Sequence, residues 1–432
     1  MSTHLKKTLS PLLLWSIGVG NVISGMYFGW NLGLEKGGTF GMAIATGIVI
    51  VMYVCFSFSY AELACAIPKA GGGFDYANRA FGSKVGFITG LAQIFMFTFG
   101  PPAIAIGIGT NINLAFPNIP IIGPAVVFYL LFTTINVMGV KIAATFEMVI
   151  TILAVLGILL FAGIAFPHFT VENFTKKSNV GGLGGIFAAI PFAIWFFLGI
   201  EGLANVAEES ENPQKDLSKG FSRALITLVI LCIVIFLASI GLGGWEKVVF
   251  NEQNELSDSP LPLALGLVIE KDGWLFQSMI WIGVLGLLAS FHGLMLAGGR
   301  VTLEFGRYGY APKFLGEVSN KFKTPGNALI FNMALGIFTL FTGKTGEIIT
   351  IAIFGALTLY IFSLASLLKL RSSEPELYRP FKVQFYPLMP ILALIICVIC
   401  FLAMAYHNQI LALMYFGFIS LGFLIFTVFH KK

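Results

Sequence analysis

The chain has 432 residues, of which 57% are hydrophobic and 11% are charged, whereas about a quarter of the residues of a soluble domain are charged. Together with a mean hydropathy of +0.88, this composition excludes an ordinary soluble domain and predicts an integral membrane protein. The net charge of +5 reflects membrane topology, and nothing in its distribution indicates nucleic-acid binding.

Apolar runs long enough to cross a bilayer follow one another along almost the whole chain. A bilayer core of roughly 30 Å needs about 20 apolar residues per helix, whereas the strands of an outer-membrane barrel are alternating segments of roughly ten residues. We therefore predict an all-α integral membrane bundle of twelve transmembrane helices. Their predicted limits are 11–35, 40–66, 85–111, 121–140, 145–166, 185–207, 221–244, 274–299, 328–342, 346–369, 388–406 and 409–429.

The distribution of Lys and Arg predicts the orientation of this bundle. Twelve spans place both termini on one side, and 20 of the 26 Lys and Arg residues fall on that side. Because loops rich in Lys and Arg remain in the cytoplasm, we expect both termini to be cytoplasmic in a multi-pass protein of the inner (cytoplasmic) membrane. The other six are Lys36, Lys176, Lys177, Lys247, Lys271 and Lys344.

Two spans contain glycines that predict a break in the helix. The first span, WSIGVGNVISGMYFGWNLGL (15–34), contains five glycines, and in the sixth span Gly199 and Gly202 flank Glu201. Glycine permits non-helical backbone, and an unwound segment is tolerated in a bilayer where it lines a cavity or meets a ligand. A first and a sixth discontinuous helix are typical of transporters built from two inverted five-helix repeats.

Close helix packing is the alternative explanation of the first-span glycines. Gly25, Gly29 and Gly33 are spaced by four residues, which is typical of a packing face of small residues. The matching break in the sixth span favours a binding site, because packing in the first span does not explain a second break.

Two connections on the side of the termini are expected to act as internal gating elements. They are PKAGGGFDYANRAFGSK (68–84) and the segment 300–327, which combine charged residues with probable short helices. The acidic inner end of the sixth span predicts either a solvated face or a gate network. Its acidic residues are Glu208, Glu209, Glu211 and Asp216.

Four spaced strings resemble the amino acid-polyamine-organocation (APC) transporter superfamily. They are IGVGNVISG in the first span, AELACAIPKAGGGFDYANRAFGSKVGF across the second and third, FFLGIEGLANVAEESENPQKDL in the sixth, and GRYGYAPKFL with KTPGNAL after the eighth. Three shorter strings are most similar to the ethanolamine permease subgroup. They are GMYFGWNLGL (25–34), FGPPAIAIGIG (99–109) and ASFHG (289–293).

The resemblance implies a fold of two inverted five-helix repeats plus two further helices. It also implies alternating access and the uptake of a small amine-bearing solute driven by a cation gradient, usually of protons, without a bound cofactor. The implied segments are a cytoplasmic tail at 1–10, repeats at 11–166 and 185–369, helices 11 and 12 at 388–429 and a cytoplasmic C-terminus at 430–432.

Two residues depart from the superfamily's pattern. Met26 stands where the first-span motif has a further glycine, so we expect a shorter unwound segment or a tighter pocket. Ala154 lies near the position at which some amino acid-transporting relatives carry a lysine in place of a coupling sodium ion. Independence from sodium therefore does not follow from the resemblance.

The substrate is expected between the two breaks. Backbone groups of the first break, with the Ser24 hydroxyl, are predicted to bind its polar end, and carbonyls of the sixth span are predicted to face an ammonium group. Phe197 is expected to close over the ligand with a cation-π contact of about 0.5 to 2 kcal/mol. The predicted substrate-binding residues are Gly20, Ile23, Ser24, Gly25, Phe197, Leu198, Gly199 and Ile200.

Three ionisable residues are candidates for coupling or gating. Mid-span Glu201 predicts either a proton carrier or a protonated side chain that pins the unwound segment. His292 is interpreted as a proton-linked residue or as a buried neutral histidine bonded to a neighbouring helix. Glu147 is predicted to be an ion-paired gate or end-cap residue, with Arg79, Lys141 or Arg300 as partner.

The sequence contains no P-loop, HExxH or GxSxG motif, so we expect neither an enzyme nor an ATP-driven pump. Proton-coupled symport of an ethanolamine-like amine is the favoured function, and symport or exchange of a neutral amino acid is the alternative. A non-transporting nutrient sensor is a third possibility, against which the short termini count. The expected partners are the small solute and the lipid bilayer, with no nucleic acid, metal or obligatory protein partner.

Overall fold

The structure is a computed structural model that describes residues 7–341 and 344–429, and for residues 140–143 and 429 it describes the backbone alone. The predicted N-terminal tail lies partly outside these residues, and the predicted segment 430–432 lies wholly outside them. Within the described residues, nearly all of the regular structure is helical.

The α-helices are named in chain order. They are α1 (Pro11–Tyr27), α2 (Leu32–Ala66), α3 (Gly73–Phe81), α4 (Ser83–Ala115), α5 (Ile122–Met138), α6 (Val140–Ala165), α7 (Val171–Thr175), α8 (Gly182–Trp195), α9 (Gly202–Asn205), α10 (Pro213–Gly243), α11 (Glu246–Val249), α12 (Pro260–Leu265), α13 (Trp274–Arg307), α14 (Gly326–Leu340), α15 (Thr345–Ser373), α16 (Leu388–His407) and α17 (Gln409–Phe429). Short 3₁₀ helices lie at Phe166–His168, Ala207–Glu209 and Lys313–Gly316.

Twelve of the described helices correspond to the twelve predicted spans. Eight are long and apolar enough to cross a membrane, and α1, α5, α8 and α14 are shorter apolar helices. The predicted all-α membrane class is therefore confirmed. The helix α10 begins about two turns before its predicted span, and α13 ends about two turns after its own. Hydropathy marks only the part of a helix that lies in lipid.

A kink separates the first two spans. The helix α2 (Leu32–Ala66) is kinked at Gly38, which has a φ of +64°. A side chain at Gly38 would lie 2.7 Å from the Ser178 carbonyl oxygen, so both the backbone angle and the close approach require glycine. The part of α2 before Gly38 belongs to the first span, and the part after it forms the second.

The burial of the helices distinguishes a centre from a periphery. The most apolar stretch of α13 is 83% buried, whereas that of α17 is 17% buried. Large apolar side chains such as Leu130, Leu156, Leu402 and Leu413 are exposed. These side chains face lipid in a membrane, where exposure of apolar surface carries no penalty.

The two ends of the bundle are named after the orientation that the Lys and Arg distribution predicts. The inner face holds Pro11 and the segment 300–327. The outer face holds Glu35 and the connection between α10 and α13, which includes α11 and α12.

Candidate functional site

The first span is interrupted later along the chain than predicted. The helix α1 continues through Tyr27, and the interruption lies at Phe28–Asn31, where Gly29 has a φ of +85°. The Asn31 Oδ1 atom accepts a hydrogen bond from the Gly29 N–H at 3.1 Å. The predicted binding residues Gly20, Ile23, Ser24 and Gly25 therefore lie in α1, before the interruption. The Trp195 indole packs beside Gly29 and leaves no room for a side chain there.

A side chain from α13 bonds the backbone of one turn of α1, which remains helical. The Ser290 hydroxyl donates to the Gly20 carbonyl at 2.6 Å and accepts from the Ser24 N–H at 2.8 Å. These two backbone groups are four residues apart and bond each other in an undisturbed helix. A side chain inserted in this way weakens the ladder, and we name the Gly20–Ser24 turn that shares its backbone groups with Ser290 the opened turn.

The sixth span is interrupted where the sequence predicts. The helix α8 ends at Trp195 and α9 begins at Gly202, and Gly199 between them has a φ of +112°. A side chain at Gly199 would lie 2.8 Å from the Asn21 carbonyl oxygen. Glycine is therefore required here both by the backbone angle and by the approach of α1.

The two interrupted spans contact each other through polar groups. The Asn21 amide donates to the Gly199 carbonyl, and the Trp195 indole N–H donates to the Phe28 carbonyl, each at 3.1 Å. A side chain at Gly25 would overlap the Trp195 carbonyl oxygen. Gly25 is therefore a close-packing position, as the alternative interpretation of the first-span glycines expected. It is also one of the residues predicted to bind substrate.

All eight residues predicted to bind substrate lie in these two segments and are buried. The exposed fraction is zero for Ile23, Phe197 and Ile200, 3% for Ser24 and 4% for Leu198. A solute held at this junction is thus shut off from water on both faces.

Aromatic side chains enclose the junction, and most of them were not predicted. The Phe197 ring lies 5.2 Å from the ring of Tyr53, which lies 5.7 Å from that of Tyr360. Trp30 stacks on Phe196 at 5.5 Å. The chain has 61 Phe, Trp and Tyr residues, so aromatic character alone does not single these out. The sequence signal that could have identified Tyr53 and Tyr360 is a tyrosine hydroxyl in the middle of a span, because such a hydroxyl needs a polar partner.

Glu201 is held by one group within the second interruption and by one side chain of α15. Its Oε1 atom accepts from the Gly199 N–H at 3.1 Å, and its Oε2 atom accepts from the Tyr360 hydroxyl at 2.9 Å. The Tyr360 hydroxyl lies 3.0 Å from that of Tyr53. Both carboxylate oxygens are thus occupied by donors. This arrangement favours the second interpretation, in which Glu201 pins the unwound segment, here by accepting from an N–H group and a hydroxyl.

Glu147 and His292 form one buried pair. The Glu147 Oε2 atom lies 3.2 Å from the His292 Nδ1 atom, and both side chains have no exposed surface. Two of the three expected partners of Glu147 pair elsewhere, Arg79 with Glu374 and Arg300 with Glu209. The third, Lys141, has a side chain outside the described residues. Glu147 is fully buried, and its role as a gate stays a prediction.

The comparisons with known proteins agree with this architecture. A model of the family described as "Amino acid permease" matches residues 14–431. The chain belongs to the amino acid permease family. Its membership in the APC superfamily, which the sequence strings predicted, is thereby confirmed, and the permease is a multi-pass membrane transporter.

Several similar proteins extend over nearly the whole permease. An uncharacterised transporter of Rhizobium meliloti (strain 1021) is 27% identical over 96% of this chain and 91% of its own. A branched-chain amino acid permease of Bacillus subtilis (strain 168) is 24% identical, with 99% and 94% covered. A methylthioribose transporter of the same organism is 26% identical, with 92% and 88% covered.

The two predicted gating segments meet at the inner face of the permease. Asp75 on α3 accepts a hydrogen bond from the Tyr308 hydroxyl at 2.9 Å and from the Gly71 N–H at 3.0 Å. Burial raises the pKa of the Asp75 carboxyl from 3.8 to about 6, and the hydrogen bond from Tyr308 and the charge of Lys69 oppose this rise.

A second inner contact involves the acidic end of the sixth span. Glu209 pairs with Arg300 at 2.9 Å, both side chains being buried, and its carbonyl accepts from the N–H groups of Thr8 and Leu9. Glu208 lies 3.6 Å from Arg307. The sequence left two interpretations of this acidic end. The ion pairs of Glu208 and Glu209 fit a gate network, whereas the exposed Glu211 fits a solvated face.

A cavity of about 740 Å³ lies at the outer face, between the start of α2, the helix α8, the external connection and the start of α15. The Thr345 hydroxyl donates to Asp258 at 2.7 Å in its wall. The inner face is thus closed by contacts, while the outer face holds a space above the junction. The charged lining residues are Glu35, Lys36, Asp258, Lys344 and Glu347.

Proposed function

We propose that this permease imports a small amine-bearing solute by alternating access, with the solute held between the opened turn of α1 and the interruption after α8. The observation that carries the proposal is the pair of hydrogen bonds between the two spans, which brings the non-helical backbone at Phe28 and at Gly199 into one buried region. Non-helical backbone is tolerated in a membrane where it lines a cavity or meets a ligand, so such a region favours a polar ligand.

The helix ends supply opposite electrostatic tools. The carbonyl end of α8 at Trp195 carries partial negative charge, and the beginning of α2 at Leu32 carries partial positive charge. We therefore place the ammonium group of the solute near the α8 end and Phe197, and its polar or anionic end near the first span. Ile23, Ser24, Leu198 and Ile200 complete the proposed site.

A neutral amino acid is the first candidate substrate. One relative is named as a branched-chain amino acid permease, and the matching family is that of amino acid permeases. Ethanolamine is the second candidate, supported by the strings at 25–34, 99–109 and 289–293. The two solutes share the amine but differ in the other end, because ethanolamine has a hydroxyl where the amino acid has a carboxylate.

We propose that a proton gradient drives import across a cytoplasmic membrane, with both termini inside. The Lys and Arg bias supports this orientation, and buried mid-bundle acids support proton coupling. The cavity at the outer face and the closed contacts at the inner face are those expected of a state that admits solute from outside.

Uptake into proteoliposomes tests the proposal. Labelled leucine, alanine and ethanolamine are offered separately under an imposed pH gradient, with and without a protonophore, and each unlabelled solute serves as a competitor. We expect gradient-dependent uptake of an amino acid, and uptake blocked only by ethanolamine would assign the second candidate. Binding without uptake or counterflow of any of the three solutes would support a sensor instead.

A matched pair of variants tests the location of the site. Phe197→Leu removes the ring beside the proposed ammonium and is expected to weaken apparent affinity by about twofold to thirtyfold, the equivalent of a cation-π contact. Phe187→Leu on α8 changes a partly exposed ring away from the junction and serves as control. Equal affinities in the two variants would place the solute elsewhere.

A further inference from the structure

The pair of Glu147 and His292 has more polar capacity than its surroundings satisfy. Neither oxygen of Glu147 and neither ring nitrogen of His292 has a well-oriented hydrogen bond among the described residues, although Oε2 and Nδ1 lie 3.2 Å apart. Buried polar atoms are nearly always partnered in native proteins. A cluster of four such atoms, all in the centre of the bundle, therefore indicates a site at which something binds.

The charge of the pair indicates what binds. With no bound proton the pair is a carboxylate and a neutral imidazole, which leaves one negative charge in the membrane interior. A single buried charge is expensive, whereas one added proton gives either an ion pair or two neutral groups. The closed state described by the structure therefore favours a pair that carries one proton.

The surrounding helices add little charge of their own. Among the described residues, Arg300 on α13 is the charged side chain that interacts electrostatically with Glu147, apart from His292, and its charge is offset by Glu209. Facing the pair from α1 is the uncharged Asn21, whose Oδ1 atom is also unpartnered. Phe132 of α5 packs on the His292 ring at 5.4 Å.

Glu147 also lies directly against the opened turn. Its Oε1 atom is 2.6 Å from the point at which a side chain of Gly20 would begin, and 2.7 Å from the same point at Gly293. The Gly20 carbonyl is held by Ser290, and the next residue, Asn21, reaches the Gly199 carbonyl. A change of charge on Glu147 therefore affects both the opened turn and the interruption after α8, which form the proposed substrate site.

We propose that the Glu147–His292 pair binds the coupling proton and that Glu201 is a positioning residue. A proton from the outer solution forms a bond to the pair as the solute enters, and this bond breaks when the inner face opens and water accepts the proton. Glu201 differs from Glu147 because both of its oxygens already accept hydrogen bonds. The inference rests on the proposed function, since it names the coupling site of that transport.

Proton-driven accumulation in proteoliposomes tests the pair. For one proton per solute, a pH difference of one unit supports an accumulation of about tenfold. We expect Glu147→Gln and His292→Gln each to abolish this accumulation while counterflow at equal pH continues, and a pH-sensitive dye inside the vesicles to report loss of solute-linked proton entry. Because both residues hold one proton, the double variant should behave as either single variant does.

The controls separate the possible failures. Glu252→Gln and His168→Gln remove exposed residues of the same types and should retain accumulation. If wild-type protein exchanges solute but never accumulates it under the gradient, proton coupling itself is refuted. If wild type accumulates and the double variant does so equally, only the role of the pair is refuted. Counterflow shows whether each variant is folded. If one single variant does not fold, the other still tests whether the pair binds the coupling proton.

Discussion

The Ser290 hydroxyl offers a sharp test of the opened turn, because it contacts two backbone groups that can bond each other. Ser290→Ala removes its hydrogen bonds to the Gly20 carbonyl and the Ser24 N–H, a loss of about 1 kcal/mol each. Closure of the turn by a direct bond between those groups returns about 1 kcal/mol. The net loss of stability is therefore about 1 kcal/mol, which is small for a buried polar substitution.

The effect on binding should be larger than the effect on stability. A closed turn no longer presents its backbone to the solute, and loss of one such contact weakens affinity by about tenfold, or 1.4 kcal/mol. Equilibrium binding of labelled solute to detergent-purified protein measures this, with thermal unfolding alongside. Ser239→Ala on α10 removes a buried hydroxyl that has no partner in the described structure and serves as control. If Ser290→Ala binds solute as tightly as Ser239→Ala does, the opened turn is not part of the site.

Three further predictions concern other parts of the permease. The substitution Glu201→Gln keeps a hydrogen-bond acceptor for one of the two neighbours, so we expect reduced uptake that still depends on the pH gradient. Tyr360→Phe should reduce uptake less. Loss of accumulation in Glu201→Gln with intact exchange would return the coupling role to Glu201. Gly29→Ala forces a side chain to a φ of +85° beside Trp195, so it should lower thermal stability by at least about 1–2 kcal/mol, whereas Gly163→Ala in open space on α6 should not. Because the Asp75 pKa rises from 3.8 to about 6 in the closed inner face, closure binds a proton, and its contribution is fully present below pH 3.8 and is lost as the pH rises from there through about 6. Hydrogen exchange of α3, corrected for intrinsic rates, should therefore slow between pH 7 and pH 5 in wild type but not in Asp75→Asn.

The twelve spans were predictable because the length of an apolar run is a local property of the chain. Each run had to be long enough to cross the bilayer, and the helices of the structure fall on these runs. The second interruption was also predictable. A glycine pair around a mid-span acid is costly anywhere except at a functional break, and Gly199 lies in the interruption that this reasoning placed there.

The position of the first break depended on tertiary contacts. Five glycines of the first span permit a break, and their local preferences do not distinguish Gly20 or Gly25 from Gly29. In the structure the interruption lies at Gly29, against the Trp195 indole, whereas Gly25 stays in α1 against the Trp195 carbonyl. The insertion of Ser290 into α1 was equally hidden, because a serine in an apolar helix carries no sequence signal for the helix that it will contact.

The sequence by itself determined the membrane class, the number of spans and the two helices that are interrupted, since these follow from hydrophobicity and glycine content within each span. Tertiary structure alone decided the partners of the buried ionisable groups. Glu147 and His292 lie on different helices far apart in the chain, and a charge can be matched to its partner only when the packing of those helices is known. The physical reason is that backbone preference acts locally, whereas the compensation of buried charge is a property of the folded bundle.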